Sequence, residues 1–134
     1  MRIQIAGMSA AILQGVPATT LDTDIWVDLP ERQYFRVLNL CRSLGATILA
    51  PTVVALRDDS MVNFLYWING LGSFETEWKK AVQMRCFRTT VAVLPLKSII
   101  RSKRWVGRPK DLAHLPLLSQ AVRLKRKLKE QGVE

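Results

Sequence analysis

The sequence predicts an α/β (α+β) fold, a small mixed β-sheet packed against helices, with further helices closing the C-terminal side. Two observations carry this. The stretch "LDTDIWVD" (residues 21–28) alternates so that Asp22, Asp24, Trp26 and Asp28 share one face and Thr23, Ile25 and Val27 the other, the period-two pattern of a strand. Other segments carry apolar residues at helical spacing, such as Tyr34, Val37, Leu38, Cys41 and Leu44. A chain of 134 residues holds one compact domain, over 1–134, and is too short for two.

In chain order, the apolar run Ile3 to Ala6 reads as a first strand, followed by a short helix "MSAAILQG" ended by Gly15 and a loop "VPATT". After the alternating strand, whose Thr23–Ile25–Val27 face is expected in the core and whose other face is expected to be polar, Pro30 opens a helix that stops at Gly45. Two apolar runs, residues 52–56 and 61–68, flank the turn residues "RDDS" and predict an antiparallel hairpin. Residues 74–84 read as a helix, 89–95 as a last strand, and "LKSIIRSKRWVG" as a helix closed by Gly107. From Pro109 the pattern is helical again, with Leu112, Leu115 and Leu118 facing inward and Pro116 expected to kink or restart the helix. The basic tail, 119–134, is helical, and its end is expected to fray.

Composition narrows the functions. No apolar run nears the roughly 20 residues that span a bilayer, and the first residues show no cleavable leader pattern, so a cytoplasmic chain away from membranes is expected. Cys41 and Cys86 lack metal-ligand spacing and read as reduced thiols. With His114 the single histidine, a zinc site or a histidine-based dyad has almost no material. The charge is uneven: of the net +9, residues 97–134 contribute +8, eleven Lys/Arg against three Asp/Glu. Such a surface either serves phosphate-rich partners or is a solvated helical face.

The candidate chemistry lies around Asp22 and Asp24. Two carboxylates on one face at a strand end can bind Mg²⁺, which prefers oxygen ligands and keeps positions for substrate phosphates. A glycine turn leading into a helix brings backbone N–H groups to those phosphates. Read without further context, the same pair is equally a solvated edge of an ordinary domain.

On these residues the sequence resembles the nucleotidyltransferase superfamily, in particular small bacterial members related to abortive-infection and toxin–antitoxin nucleotidyltransferases. Ala6-Gly7-Met8, a thirteen-residue spacer and Asp22-Thr23-Asp24-Ile25 follow the family layout, and "LPLKSIIRSKRWVGRPKDLAHLPLL" (residues 94–118) is similar to its closing segment. The resemblance implies the nucleotidyltransferase fold. It implies transfer of a nucleoside monophosphate from an NTP to a hydroxyl acceptor, on RNA such as a tRNA end or on a protein. Asp22 and Asp24 would hold Mg²⁺ or Mn²⁺, the turn Gly7, Met8 and Ser9 would face the phosphates, and Lys103, Arg108 and Lys110 would touch the triphosphate. Charge balance at helix ends is the competing reading for those three cations, with Asp111 as their structural partner.

Three positions depart from the family pattern. Met8 stands where a second Gly or Ser is usual, Ala18 where an Arg is usual, and Asn63 where a third catalytic carboxylate is expected. Asn63 keeps the shape of Asp without its charge, so it is a poor general base and a weaker metal ligand. Asp58 and Asp59 lie too far along the hairpin to replace it. The departures favour a second reading, a catalytically impaired nucleotide-binding or protein/RNA interaction module in a toxin–antitoxin-type system. A third is nucleic-acid binding by the tail alone. Trp26, on the acidic face, is a candidate for stacking a base, although Trp26, Trp67 and Trp105 serve equally to close a core. Small family members often carry a helix before the first strand. Its lack here would leave that strand's edge to a second copy, favouring a homodimer.

Overall fold

The computed structural model describes residues 1–132. Its elements run β1 (Ile3–Ala6), α1 (Gly7–Leu13), β2 (Asp22–Val27), a 3-10 turn (Glu31–Gln33), α2 (Tyr34–Ser43), β3 (Thr47–Ala50), β4 (Val53–Ala55), β5 (Met61–Leu65), α3 (Phe74–Trp78), β6 (Val82–Cys86), β7 (Thr89–Val93), α4 (Leu96–Val106) and α5 (Pro109–Glu130). All seven strands form one sheet in the order β3-β4-β5-β2-β1-β7-β6. It is mixed: β2 runs antiparallel to β1 and parallel to β5, and β1 runs parallel to β7. The expected α/β (α+β) class is the one observed.

Both faces of β2 are covered. Val27 packs with Val54, Val62 and Phe64 of the neighbouring strands under Val37 and Leu38 of α2. On the opposite face Trp26 joins Phe74, Leu94, Leu96, Ile99 and Leu118, meeting the Phe74 ring edge-on at 5.3 Å. The Asp22–Asp24–Trp26 face is therefore polar only at the start of the strand. Trp26, 1% exposed, is shut away from any base. Trp67 and Trp105 go the other way and stay 58% and 74% exposed. Glu77 of α3, 1% exposed, receives two bonds from the Arg101 guanidinium at 2.9 and 3.1 Å and one from Gly72 N–H, fastening α3 to α4.

Several expectations change. The helix expected over 74–84 stops at Trp78, and Val82–Cys86 forms β6, an edge strand paired with β7. Thr47–Ala50 is a strand as well, because β4 offers it an antiparallel partner. Pro116 does not break α5, which runs from Pro109 to Glu130. The basic tail is helical up to Glu130, and its last two residues, on which the expected fraying also falls, lie outside the described ones. Leu112 turns out 49% exposed, while Leu118 is fully buried. Strand β1 lies inside the sheet between β2 and β7, so the bare-edge argument for a homodimer falls away. Among the described residues no helix is long and apolar enough to cross a membrane.

Gln4 of β1 is 0% exposed and sits directly opposite Trp26, yet neither its amide oxygen nor its nitrogen has a hydrogen-bond partner. A buried amide left unpaired costs about 1–3 kcal/mol. Gln4→Met, nearly equal in volume, is expected to raise the unfolding free energy by about 1 kcal/mol or more in urea titrations. A loss of stability would mean that the amide has a partner in solution.

Candidate functional site

The site grows from the meeting of β1, β2 and β5. Ala6, the last residue of β1, lies opposite Asp24, and on the other side Asn63 of β5 lies opposite Asp24 too. Asp22 follows two residues away on the same face. The Asn63 amide nitrogen donates to Asp22 Oδ2 at 3.1 Å and to Asp24 Oδ1 at 3.3 Å. One neutral side chain thus bridges two carboxylates that would otherwise only repel each other.

Directly after β1 the chain turns at Gly7, with φ +59°. A Cβ built there would run into Asp24 Oδ2, so both the backbone angle and the approach of the carboxylate require glycine. Ser9 fixes the corner: its hydroxyl donates to Ala6 C=O at 2.6 Å and accepts from Asp24 N–H at 3.1 Å.

The opposite wall is the corner between α4 and α5. Asp111, 3% exposed, accepts from Arg108 Nε at 2.7 Å and from Lys103 Nζ at 3.4 Å. Between the walls lies a cavity of about 500 Å³, lined by Gly7, Met8, Asp22, Asp24 and Asn63 on one side and Lys103, Arg108, Lys110, Asp111 and His114 on the other. Eight of the nine residues predicted for the site line this cavity. Ser9 does not; its hydroxyl is committed to the β1–β2 corner. Ala18 packs at the margin of the core on the far side of α1, away from the cavity.

Charge in the cavity is divided. Burial, with the Asp22 charge adding to it, pushes the Asp24 carboxyl above its ordinary range; the Asn63 bond and the charges of Lys103 and Lys110 oppose this. Asp111 is held below the usual carboxylate range, foremost by its hydrogen bond from Arg108. His114 is pushed down by burial and by Lys103, so its imidazole is neutral at pH 7. Its Nδ1 is buried with no partner. Sequence reasoning set this histidine aside. Its spacing from Lys110 and Asp111, four and three residues along one helix, was the signal that it shares their face.

The acidic pair can take a cation, and the cationic wall can take an anion facing it. Among the described residues no group of three or more His, Cys, Asp or Glu gathers as metal ligands, because Asn63 holds the third corner. Asp58 and Asp59 sit in the β4–β5 turn, where Asp58 bonds Ser60, and neither lines the cavity. Compared with known proteins, the chain matches no family model and no curated sequence.

Gly7→Ala is expected to lower stability by about 1–2 kcal/mol through the positive φ alone, and by more through displacement of Asp24; thermal unfolding beside wild type checks it. Asp111→Asn tests the opposite wall. A depressed carboxyl stabilises the fold above the unfolded value near 3.9, and that contribution disappears as pH falls through the lower folded value. The variant should therefore unfold more easily at pH 7, by about 1–3 kcal/mol, with the difference from wild type shrinking as the pH falls below about 3.9. A gap independent of pH would contradict the ion-pair account.

Proposed function

We propose that the cavity binds a nucleoside triphosphate with Mg²⁺ or Mn²⁺, and that the chain transfers a nucleoside monophosphate from it to a hydroxyl acceptor, as a nucleotidyltransferase does. The observation that carries this reading is the convergence of Asp22, Asp24 and the Gly7 turn on one side of a cavity whose other side presents Lys103, Arg108 and Lys110. Acidic residues facing cationic ones across about 500 Å³ suit a ligand that is itself a metal-bound polyphosphate.

The donor set fits the metal. Adjacent ligand atoms on an octahedral Mg²⁺ are about 2.9 Å apart when each bond is about 2.0–2.1 Å. The Asn63 nitrogen is 3.1 and 3.3 Å from the two carboxylate oxygens. A half-turn of the amide would present its carbonyl oxygen there instead, so Asp22, Asp24 and Asn63 would be the residues to hold the metal. When bound, the metal would neutralise the phosphates and polarise the α-phosphorus. Asp22 and Asp24 would hold it, and Lys103 and Lys110 would offset the charge of the leaving pyrophosphate. In the transfer, the acceptor oxygen bonds to the α-phosphorus as the bond to the bridging oxygen of the β-phosphate breaks. Asn63 cannot take the hydroxyl proton, which passes to solvent water instead, so the step runs without a side-chain base at that position.

That lack favours a second reading, in which the same cavity binds nucleotide without turnover and the protein acts as an interaction module, as in a toxin–antitoxin-type system. Two free cysteines, Cys41 and Cys86, fit the cytoplasmic setting that either reading needs. Calorimetry with each NTP plus Mg²⁺ or Mn²⁺, paired with transfer of label from NTP to tRNA, protein or the chain itself, separates the two. Binding with transfer supports the first, and binding without transfer the second. Absence of binding with either metal overturns both. Asn63→Asp is expected to raise transfer about tenfold or more, the low end of a general-base contribution.

A further inference from the structure

A second groove, of about 370 Å³, adjoins the cavity and shares Ser102, Val106 and Arg108 with it. The segment after β5 forms its other side with Tyr66, Trp67 and Asn69. We infer that this groove receives the end of a single-stranded nucleic acid, with a base stacked on Trp67 and the backbone following Arg108 toward the basic helix α5.

The groove is held in shape by the contacts beneath it. Ser102 Oγ donates to Asn69 C=O at 2.8 Å and Arg101 Nε to Gly70 C=O at 3.2 Å, tying the Trp67 segment to α4. Gly70 has φ +84°, and a Cβ there would stand 2.6 Å from Trp105 Cβ, so the segment closes on α4 only because residue 70 has no side chain. Nothing in the core asks Trp67 and Trp105 to be tryptophan, for both are more than half exposed. Trp67 lines the groove together with Arg108, and an exposed aromatic ring near a cation suits a single strand, since every base has a face to stack while a duplex hides its bases.

Charge sets the direction of the strand. Glu31 also lines the groove and repels phosphate, so the backbone runs by Arg108. Beyond it α5 carries Arg123, Lys125, Arg126, Lys127 and Lys129, all exposed and without an ion pair among the described residues. They begin about 20 Å along the helix from Arg108 at 1.5 Å per residue. The inference rests on the nucleotidyl-transfer reading only for its purpose, which is to bring a terminal hydroxyl beside Asp22 and Asp24. The binding itself requires neither NTP nor metal.

The test uses the full chain and a fluorescent single-stranded oligonucleotide of about 12 nucleotides, followed by anisotropy without NTP or metal. Wild type should bind it more tightly than the matching duplex, with affinity falling as salt rises. Trp67→Ala should weaken single-strand binding about tenfold, Trp67→Phe should restore most of it, and unfolding temperatures should stay near wild type because the ring is exposed. Equal affinity for duplex, or no change in Trp67→Ala, overturns the groove. Vesicles containing phosphatidylserine that compete with the oligonucleotide and bind better would point to a membrane surface and also overturn it. Calorimetry of Trp67→Ala with NTP and Mg²⁺ separates the two readings. Retained nucleotide binding leaves the cavity reading standing whatever the oligonucleotide does, and joint loss of both ligands would assign Trp67 to the nucleotide and overturn the acceptor groove.

Discussion

Two carboxylates on one strand face, about 7 Å apart along the chain, repel each other by roughly 2 kcal/mol at an effective dielectric near 20, and the surrounding elements are arranged to hold them together. Strand β5 must run parallel to β2 in a register that puts Asn63 beside Asp24. Strand β1 must end opposite Asp24, and the chain must then leave through a residue with no side chain. A shift of one residue in the β2–β5 pairing would turn Asn63 to the other face and leave the pair uncompensated. Burial still raises the Asp24 carboxyl. The arrangement keeps some electrostatic cost, which a cation would relieve.

The far wall solves the opposite problem. Lys103, 13% exposed along its side chain, needs a counter-charge, and the buried Asp111 supplies it while also gripping Arg108. This fixes the corner at which α4 gives way to α5. The two walls are thus opposite in sign, each anchored by its own hydrogen bonds and both backed by one core, in which Ala6, Met8 and Trp26 pack with Leu96, Ile99 and Leu118. A cavity of that kind keeps its form without its ligand.

Much of this was legible in the sequence, and the unread parts have physical reasons. The β2 alternation and the later hairpin depend on local signals, and eight of the residues singled out there, in the Gly7 turn and in the segment holding "GRPKDL", line one cavity. Trp26 misled because alternation tells which residues share a face and not what covers it; Phe74, 48 residues later, covers the far end of that face. Strands β3 and β6 at the two edges of the sheet carry weak patterns because each gains its hydrogen bonds from one partner only. Pro116 looked like a break, yet α5 is held on either side by packing of Asp111 and Leu118, which outweighs one missing N–H. His114 was passed over because a lone histidine has no motif. Its role comes from the cavity it happens to face.

The placing of β1 between β2 and β7 has a consequence for how the molecule comes into being. Its second neighbour is 88 residues away along the chain, Ile5 pairing with Val93, and closing a loop of that length costs about 4 kcal/mol beyond a constant term. The cationic wall arrives later still, with α4 and α5. On the ribosome, Gly7, Asp22 and Asp24 emerge before the strand that completes their sheet, and a fragment that ends before α4 lacks the wall that carries Lys103, Arg108 and Lys110. The cavity is thus among the last parts of the molecule to be completed.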